Sequence, residues 1–167
     1  MAKLIVLAGL PATGKSTIAR EIARRTGAVW LRVDSMDQAI WNSGTAPEDL
    51  HDWSYRAAQA IAEDNLRLAH DVVADCVNDL AITRTGWRNA GLRAGAEILE
   101  VEVVCMDTDE HRKRVEIRET EIPDLVLPRW ETISSLKFEA WDRDHLTIDT
   151  AAHSVDACVE QILAVRG

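Results

Sequence analysis

The sequence predicts a single α/β domain in which a parallel sheet is wrapped by helices. Strand-like apolar runs alternate with helix-like ones along the whole chain of 167 residues. The first run, Leu4-Ile5-Val6-Leu7-Ala8, leads straight into Gly9-Leu10-Pro11-Ala12-Thr13-Gly14-Lys15-Ser16-Thr17, which fits G-x-x-x-x-G-K-[ST]. The length suits one domain, which buries about 70% of its unfolded surface without staples. We find no repeat, linker or low-complexity tract.

The first strand is expected from Lys3 to Ala8 and the first helix from Lys15 to Thr26, with Gly27 as its C-terminal stop. Between them lies a phosphate loop. A loop closing on a triphosphate turns tightly at Gly9 and Gly14, because a Cβ there would hold the backbone away from the phosphate oxygens. The amides around Pro11, Ala12, Thr13 and Thr17 then converge on the anion, helped by the positive end of the helix. Lys15 brings a mobile charge to the β- and γ-phosphates, and Ser16 is left to ligate Mg²⁺.

A second strand, Val29 to Val33, ends at Asp34, which begins a short helical piece through Trp41. Ligands of open α/β sheets bind beyond the carboxyl ends of the strands, so Asp34 points into the cleft of the phosphate loop. That placement makes it the candidate general base, and a helix N-cap is its structural alternative. Asn42 to Pro47 is turn-rich, and Glu48 to His70 then reads as a long helix with Leu50, Trp53, Ala57, Ala60 and Ile61 toward the core.

The third strand, Asp71 to Asp75, is apolar and ends in an acid, the pattern of a strand that delivers a carboxylate to Mg²⁺. A fourth helix repeats Leu80, Thr83, Trp87, Ala90 and Ala94, with Gly86 and Gly91 each weakening it by about 1 kcal/mol. A strand from Ile98 to Met106 follows, and Asp107 with Glu110 forms a variant capping box. The next helix carries His111, Arg112, Lys113, Arg114 and Arg118, the densest positive run in the chain.

Arg114 and Arg118, one turn apart, suit clamping phosphates as charge shifts during phosphoryl transfer. The segment from about 112 to 128 is expected to be a lid, and the segment from about 35 to 70 an acceptor lobe. Trp130 to Phe138 suggests a helix, His145 to Ile148 the last strand before Asp149-Thr150, and Ser154 to Val165 the last helix. The histidines show no metal-ligand spacing and are expected to be structural or exposed.

A formal net charge of -9 and a pI near 5.0 argue against a general nucleic-acid surface. Cys76, Cys105 and Cys158 form no CxxC pair, so a disulfide framework or zinc site is not expected and the cytoplasm is the natural compartment. The apolar start imitates a signal peptide but runs directly into the phosphate loop, where cleavage would destroy the motif. No apolar stretch reaches the roughly 20 residues that cross a bilayer.

Together the phosphate loop, the acids Asp34 and Asp75, Lys113-Arg114-x-x-x-Arg118 and Ile148-Asp149-Thr150 resemble the small P-loop kinases that include polynucleotide kinase and zeta-toxin-like proteins. Gluconate kinase and chloramphenicol phosphotransferase are similar at greater distance. The resemblance implies a nucleoside-kinase-like P-loop NTPase domain over residues 1–167, with five parallel strands in the order 2-3-1-4-5 and a lid helix. It also implies ATP with Mg²⁺ and transfer of the γ-phosphoryl group to a hydroxyl.

On that resemblance Lys15 and Ser16 match the phosphate and metal groups, Asp34 the base, Arg118 the catalytic lid arginine and Asp75 the acid beyond the third strand. Polynucleotide kinases carry an arginine shortly after the base, where this chain has Asp37. A carboxylate there would repel a nucleic-acid phosphate, so a neutral or cationic small molecule (sugar, nucleoside or antibiotic) is the expected acceptor. The alternatives are a polynucleotide 5′-hydroxyl kinase and a regulatory ATPase without an acceptor. A monomer or homodimer with no membrane partner is expected.

Overall fold

The computed structural model describes residues 1–44 and 52–165. Five strands form one parallel sheet: β1 (Lys3–Ala8), β2 (Val29–Arg32), β3 (Val72–Asp75), β4 (Glu97–Val104) and β5 (Leu146–Asp149). Their order is β2-β3-β1-β4-β5, as the family resemblance implied. Around them lie α1 (Lys15–Thr26), α2 (Val33–Asn42), α3 (Trp53–Arg67), α4 (Ala81–Ala94), α5 (Thr108–Ile117), α6 (Trp130–Ser135) and α7 (Val155–Ala164).

The two faces of the sheet follow from the two-residue period of a strand. In β1, Ile5 and Leu7 face α1 and α7, meeting Ile18, Ile22, Val159 and Ile162. Leu4 and Val6 face the other way, onto Ala58, Ala62 and Leu66 of α3 and Trp87 of α4. Both faces being covered, β1 and the start of β3 are apolar without alternation, as parallel strands require, whereas β4 carries Glu100 and Glu102, paired with Arg88 and His145. Among the described residues no helix is long and apolar enough to cross a membrane.

Several boundaries move. β2 stops at Arg32, so Val33 and Asp34 belong to the first turn of α2, whose N-cap is Arg32 rather than Asp34. The helix expected from Glu48 is described from Trp53, and Glu48, Leu50 and His51 lie outside the described residues. Its inward face is Ser54, Ala58, Ala62 and Leu66, while Trp53, Ala57, Ala60 and Ile61 are exposed. The large apolar residues misled the reading: a stripe of small residues lets the helix approach the sheet, and Ser54 is admitted because its hydroxyl bonds the Asp37 carboxylate. In α4, Gly91 is buried where a Cβ would stand 2.7 Å from Ile98 and 3.2 Å from Leu4. That glycine permits close packing at the expense of helix propensity.

The expected helix from Trp130 to Phe138 ends at Ser135. An extended strap then leads to β5 and is fastened by a fully buried arginine. Arg84 of α4 donates to the carbonyls of Asn78 and Asp79 after β3, and to those of Glu139 and Ala140 in the strap. Its guanidinium lies 4.6 Å from the Trp141 ring centroid and 5.5 Å from that of Phe138. The strap thereby braces the segment that follows Asp75.

Arg84→Ala leaves those buried carbonyls unpaired and opens a void, and is expected to cost about 3 kcal/mol or more. Urea denaturation checks this, and a loss under about 1 kcal/mol would show that the strap is not a structural brace.

Candidate active site

The loops after β1, β2, β3 and β5 meet at the carboxyl edge of the sheet, where the strand order diverges on either side of β1. They surround a cavity of about 750 Å³ lined by Pro11, Ala12, Gly14, Lys15, Ser16, Thr17, Asp34, Asp75, Arg114 and Arg118, with the lid residues Thr120 and Leu125 to Pro128 across it. Of the sequence-derived candidates Gly9 and Thr13 stand outside this lining; Thr13 is buried with its hydroxyl on the Leu10 carbonyl, and Gly9 serves the backbone. Its role is in the turn: φ is +146°, and a Cβ would lie 2.2 Å from the Val103 carbonyl oxygen.

The phosphate loop is held from outside by its carbonyls. The Thr150 hydroxyl donates to the Thr13 carbonyl at 2.7 Å, the His111 ring Nε2 to the Pro11 carbonyl at 2.8 Å, and the Thr13 hydroxyl to the Leu10 carbonyl at 3.0 Å. Ala12 and Gly14 have positive φ, 65° and 100°, a turn that a non-glycine residue such as Ala12 adopts only under strain. With those carbonyls engaged, the N–H groups at the start of α1, which have no intrahelical partners, are left for an anion.

Lys15 is buried, and its ammonium donates to the Leu10 carbonyl at 2.7 Å. Burial pushes its pKa down, while the charges of Asp75 and Asp34 oppose that shift. Asp75, 3% exposed, is pushed up by burial and held back by Lys15 and by a hydrogen bond from Ser16. Trp30 Nε1 donates to its Oδ2 at 3.2 Å, and Arg32 Nε stands 3.9 Å from the same oxygen. The Ser16 hydroxyl and the Asp75 carboxylate, brought together in this way, are the hard oxygen donors that suit Mg²⁺, an ion that takes one or two protein ligands and completes its shell with phosphates and water. Among the described residues no cluster of three or more His, Cys, Asp or Glu could hold a metal by itself.

The two lid arginines differ. α5 ends at Ile117, and Arg118 is its extended C-cap, so the pair does not share a helical face although both line the cavity. Arg114 is engaged by Glu110 and by the hydroxyl and carbonyl of Thr150. Arg118 is half-buried, its Nε has no hydrogen-bond partner among the described residues, and burial pushes its pKa down against the opposing charge of Asp34. Arg118 is thus the guanidinium available to a ligand.

Some residues the sequence singled out lie elsewhere. Asp149 caps its strand end by accepting from the N–H groups of Met106 and Ala151, and only Thr150 reaches the cavity. Trp41 and Trp53 are about half exposed, and with Tyr55 they stand apart from this cavity. Asp37 is bonded to Ser54 and does not line it. The reading missed Arg32 and Trp30, which do; a charged residue at the carboxyl end of a parallel strand was the available signal. His111, expected to be structural or exposed, is structural: it is buried, its ring stands edge-on to Trp130 and it braces the phosphate loop.

A family model described as AAA domain matches residues 4–135. No curated protein matches the sequence. Among solved structures, the chain is similar to the APS kinase CysC of Mycobacterium tuberculosis in complex with AMPPNP and APS, at 19% identity over 97% of this chain and 95% of that one, with a TM-score of 0.73. It is similar to a sugar kinase from Janibacter sp. HTCC2649 at 17% identity, covering 98% and 93% with a TM-score of 0.70. Kti12 of Chaetomium thermophilum in complex with ADP-AlF3 is similar at 18% identity, covering 95% and 94% with a TM-score of 0.69. At these identities the likeness establishes a P-loop kinase-like fold.

The two glycines of the loop make a graded test. Gly9→Ala meets a backbone carbonyl and is expected to cost at least about 3 kcal/mol, whereas Gly14→Ala, whose Cβ meets Thr150 at 3.5 Å, costs about 1–2 kcal/mol of backbone strain. Urea unfolding of both variants checks the order, and equal stabilities would contradict the close approach at Val103.

Proposed function

The chain belongs to the AAA domain family, and from that membership and the geometry of the cleft we propose that it is an ATP-dependent kinase acting on the hydroxyl of a small molecule. The observation that carries this reading is a single cavity lined by Lys15, Ser16, Asp75, Asp34 and Arg118. The phosphate-loop amides and Lys15 bind the β- and γ-phosphates; Ser16 and Asp75 hold Mg²⁺, which neutralises phosphate charge when bound. Asp34 orients the acceptor hydroxyl and takes its proton as the hydroxyl oxygen bonds to the γ-phosphorus and the bond to the bridging oxygen of ADP breaks. Arg118, with no fixed partner for its Nε, stabilises the charge on the transferred group.

Phosphoryl transfer asks chiefly for alignment and charge stabilisation, and the parts divide accordingly. The cytoplasm is the compartment we assign, since Cys76, Cys105 and Cys158 are all buried as free thiols.

Asp34→Asn preserves shape and removes the proton acceptor. Acceptor-dependent ADP release, screened against sugars, nucleosides, antibiotics and a hydroxyl-ended oligonucleotide, is expected to fall about 10²–10⁴-fold while ATP binding persists. A variant with the full rate would remove Asp34 from the role of base.

A further inference from the structure

Beside the nucleotide cavity lies a second one of about 640 Å³, and Trp30, Arg32 and Glu121 line both. Met36 and Ala39 of α2 and Ile122 and Pro123 of the lid make its apolar walls. Asp34 lines the first cavity and the following turns of α2 line the second, so a molecule seated in the second meets Asp34 across Arg32.

Arg32 comes off the carboxyl end of β2 with its guanidinium 5.6 Å from the Trp30 ring centroid. Its Nε is buried and without a hydrogen-bond partner among the described residues. Asp75, 3.9 Å from that Nε, attracts it without a hydrogen bond, and the same carboxylate oxygen already accepts from Trp30. Of the other carboxylates near this junction, Glu121 is paired with Arg20 at 2.6 Å and Asp37 is bonded to Ser54 and lines neither cavity, while Asp34 lines the first cavity, where the acceptor hydroxyl is placed. The sequence-based expectation of a neutral or cationic acceptor rested on Asp37, which does not face the ligand space.

We propose that the phosphoryl acceptor is a hydroxy acid, with an oxyanion near its hydroxyl for Arg32 and an apolar ring or branched body for Met36, Ile122 and Pro123. The proposal rests on the kinase reading and names its substrate class. A planar guanidinium fork suits a carboxylate or phosphate held through paired N–H bonds, and an apolar pocket with one such group is how small-molecule sites fix orientation.

Equilibrium dialysis of the full chain with Mg²⁺ and a non-hydrolysable ATP analogue tests it. The probes are mandelate, α-hydroxybenzylphosphonate and the uncharged mandelamide, each with its hydroxyl beside the group that is varied and a phenyl ring as the apolar body. At least one acid is expected to bind about tenfold or more tighter than the amide, the size of effect one charge-assisted pair gives. The tighter acid tells carboxylate from phosphate-like recognition. Arg32→Gln is expected to abolish the preference while amide binding persists, and Arg32→Lys to restore part of it. Acids that bind no better than the amide, or a preference that survives Arg32→Gln, overturn the proposal. Uptake of the analogue is read in the same cells: if it is absent the kinase reading itself fails, and if it is present without an acid preference only the acceptor class falls.

Discussion

Lys15 and Asp75 are both withdrawn from water in the same cleft, and neither charge would be tolerated there alone. Removing an ion from water costs several kcal/mol even after relaxation, so each depends on the other and on hydrogen bonds to its remaining atoms. Lys15 finds the Leu10 carbonyl, and Asp75 finds Trp30 and Ser16. The rest of the architecture follows from holding this pair. β1 and β3, neighbours in the sheet with Leu7 opposite Asp75, deliver the phosphate loop and the carboxylate to one edge.

The surrounding contacts serve this arrangement at a distance. Thr150 at the end of β5 and His111 on α5 grip carbonyls of the phosphate loop, so α5, β5 and the loop form one unit. Arg114 is spent on the same task through Glu110 and Thr150. On the other side, Arg84 ties the segment after Asp75 to the strap before β5. Arg118 and Arg32 stand apart from this frame: each has a buried Nε without a partner among the described residues and lines the nucleotide cavity, whereas Arg84, whose Nε is also unpartnered, spends its other N–H groups on four carbonyls away from it.

Where local chemistry dictated structure, the sequence could be read closely. The run from Lys3 to Ala8, the glycines of the loop and the stop at Gly27 fall where strand propensity, backbone freedom and helix capping place them. Asp34, Asp75 and Arg118 were legible as cleft residues because acids at strand ends and cations beside a lid need only topology to meet. The inward face of α3 was not legible, since Ser54 is buried only through Asp37, a partner seventeen positions away. Gly91 read as a weak point of a helix, and its value appears only when Ile98 and Leu4 are brought against it. Arg32 was passed over because strand periodicity marks which side a residue faces and not that its neighbours would leave it without a hydrogen bond.

The grip of Lys15 and the loop amides on a triphosphate is the claim on which the enzymatic account stands. Calorimetric titration of Mg·ATP into the wild-type protein and into Lys15→Ala measures it most directly. The account predicts saturable uptake at one site by the wild type, and a variant that remains folded but loses most of that affinity. Folded wild-type protein that takes up no nucleotide, or a variant that binds as well as the wild type, would contradict it.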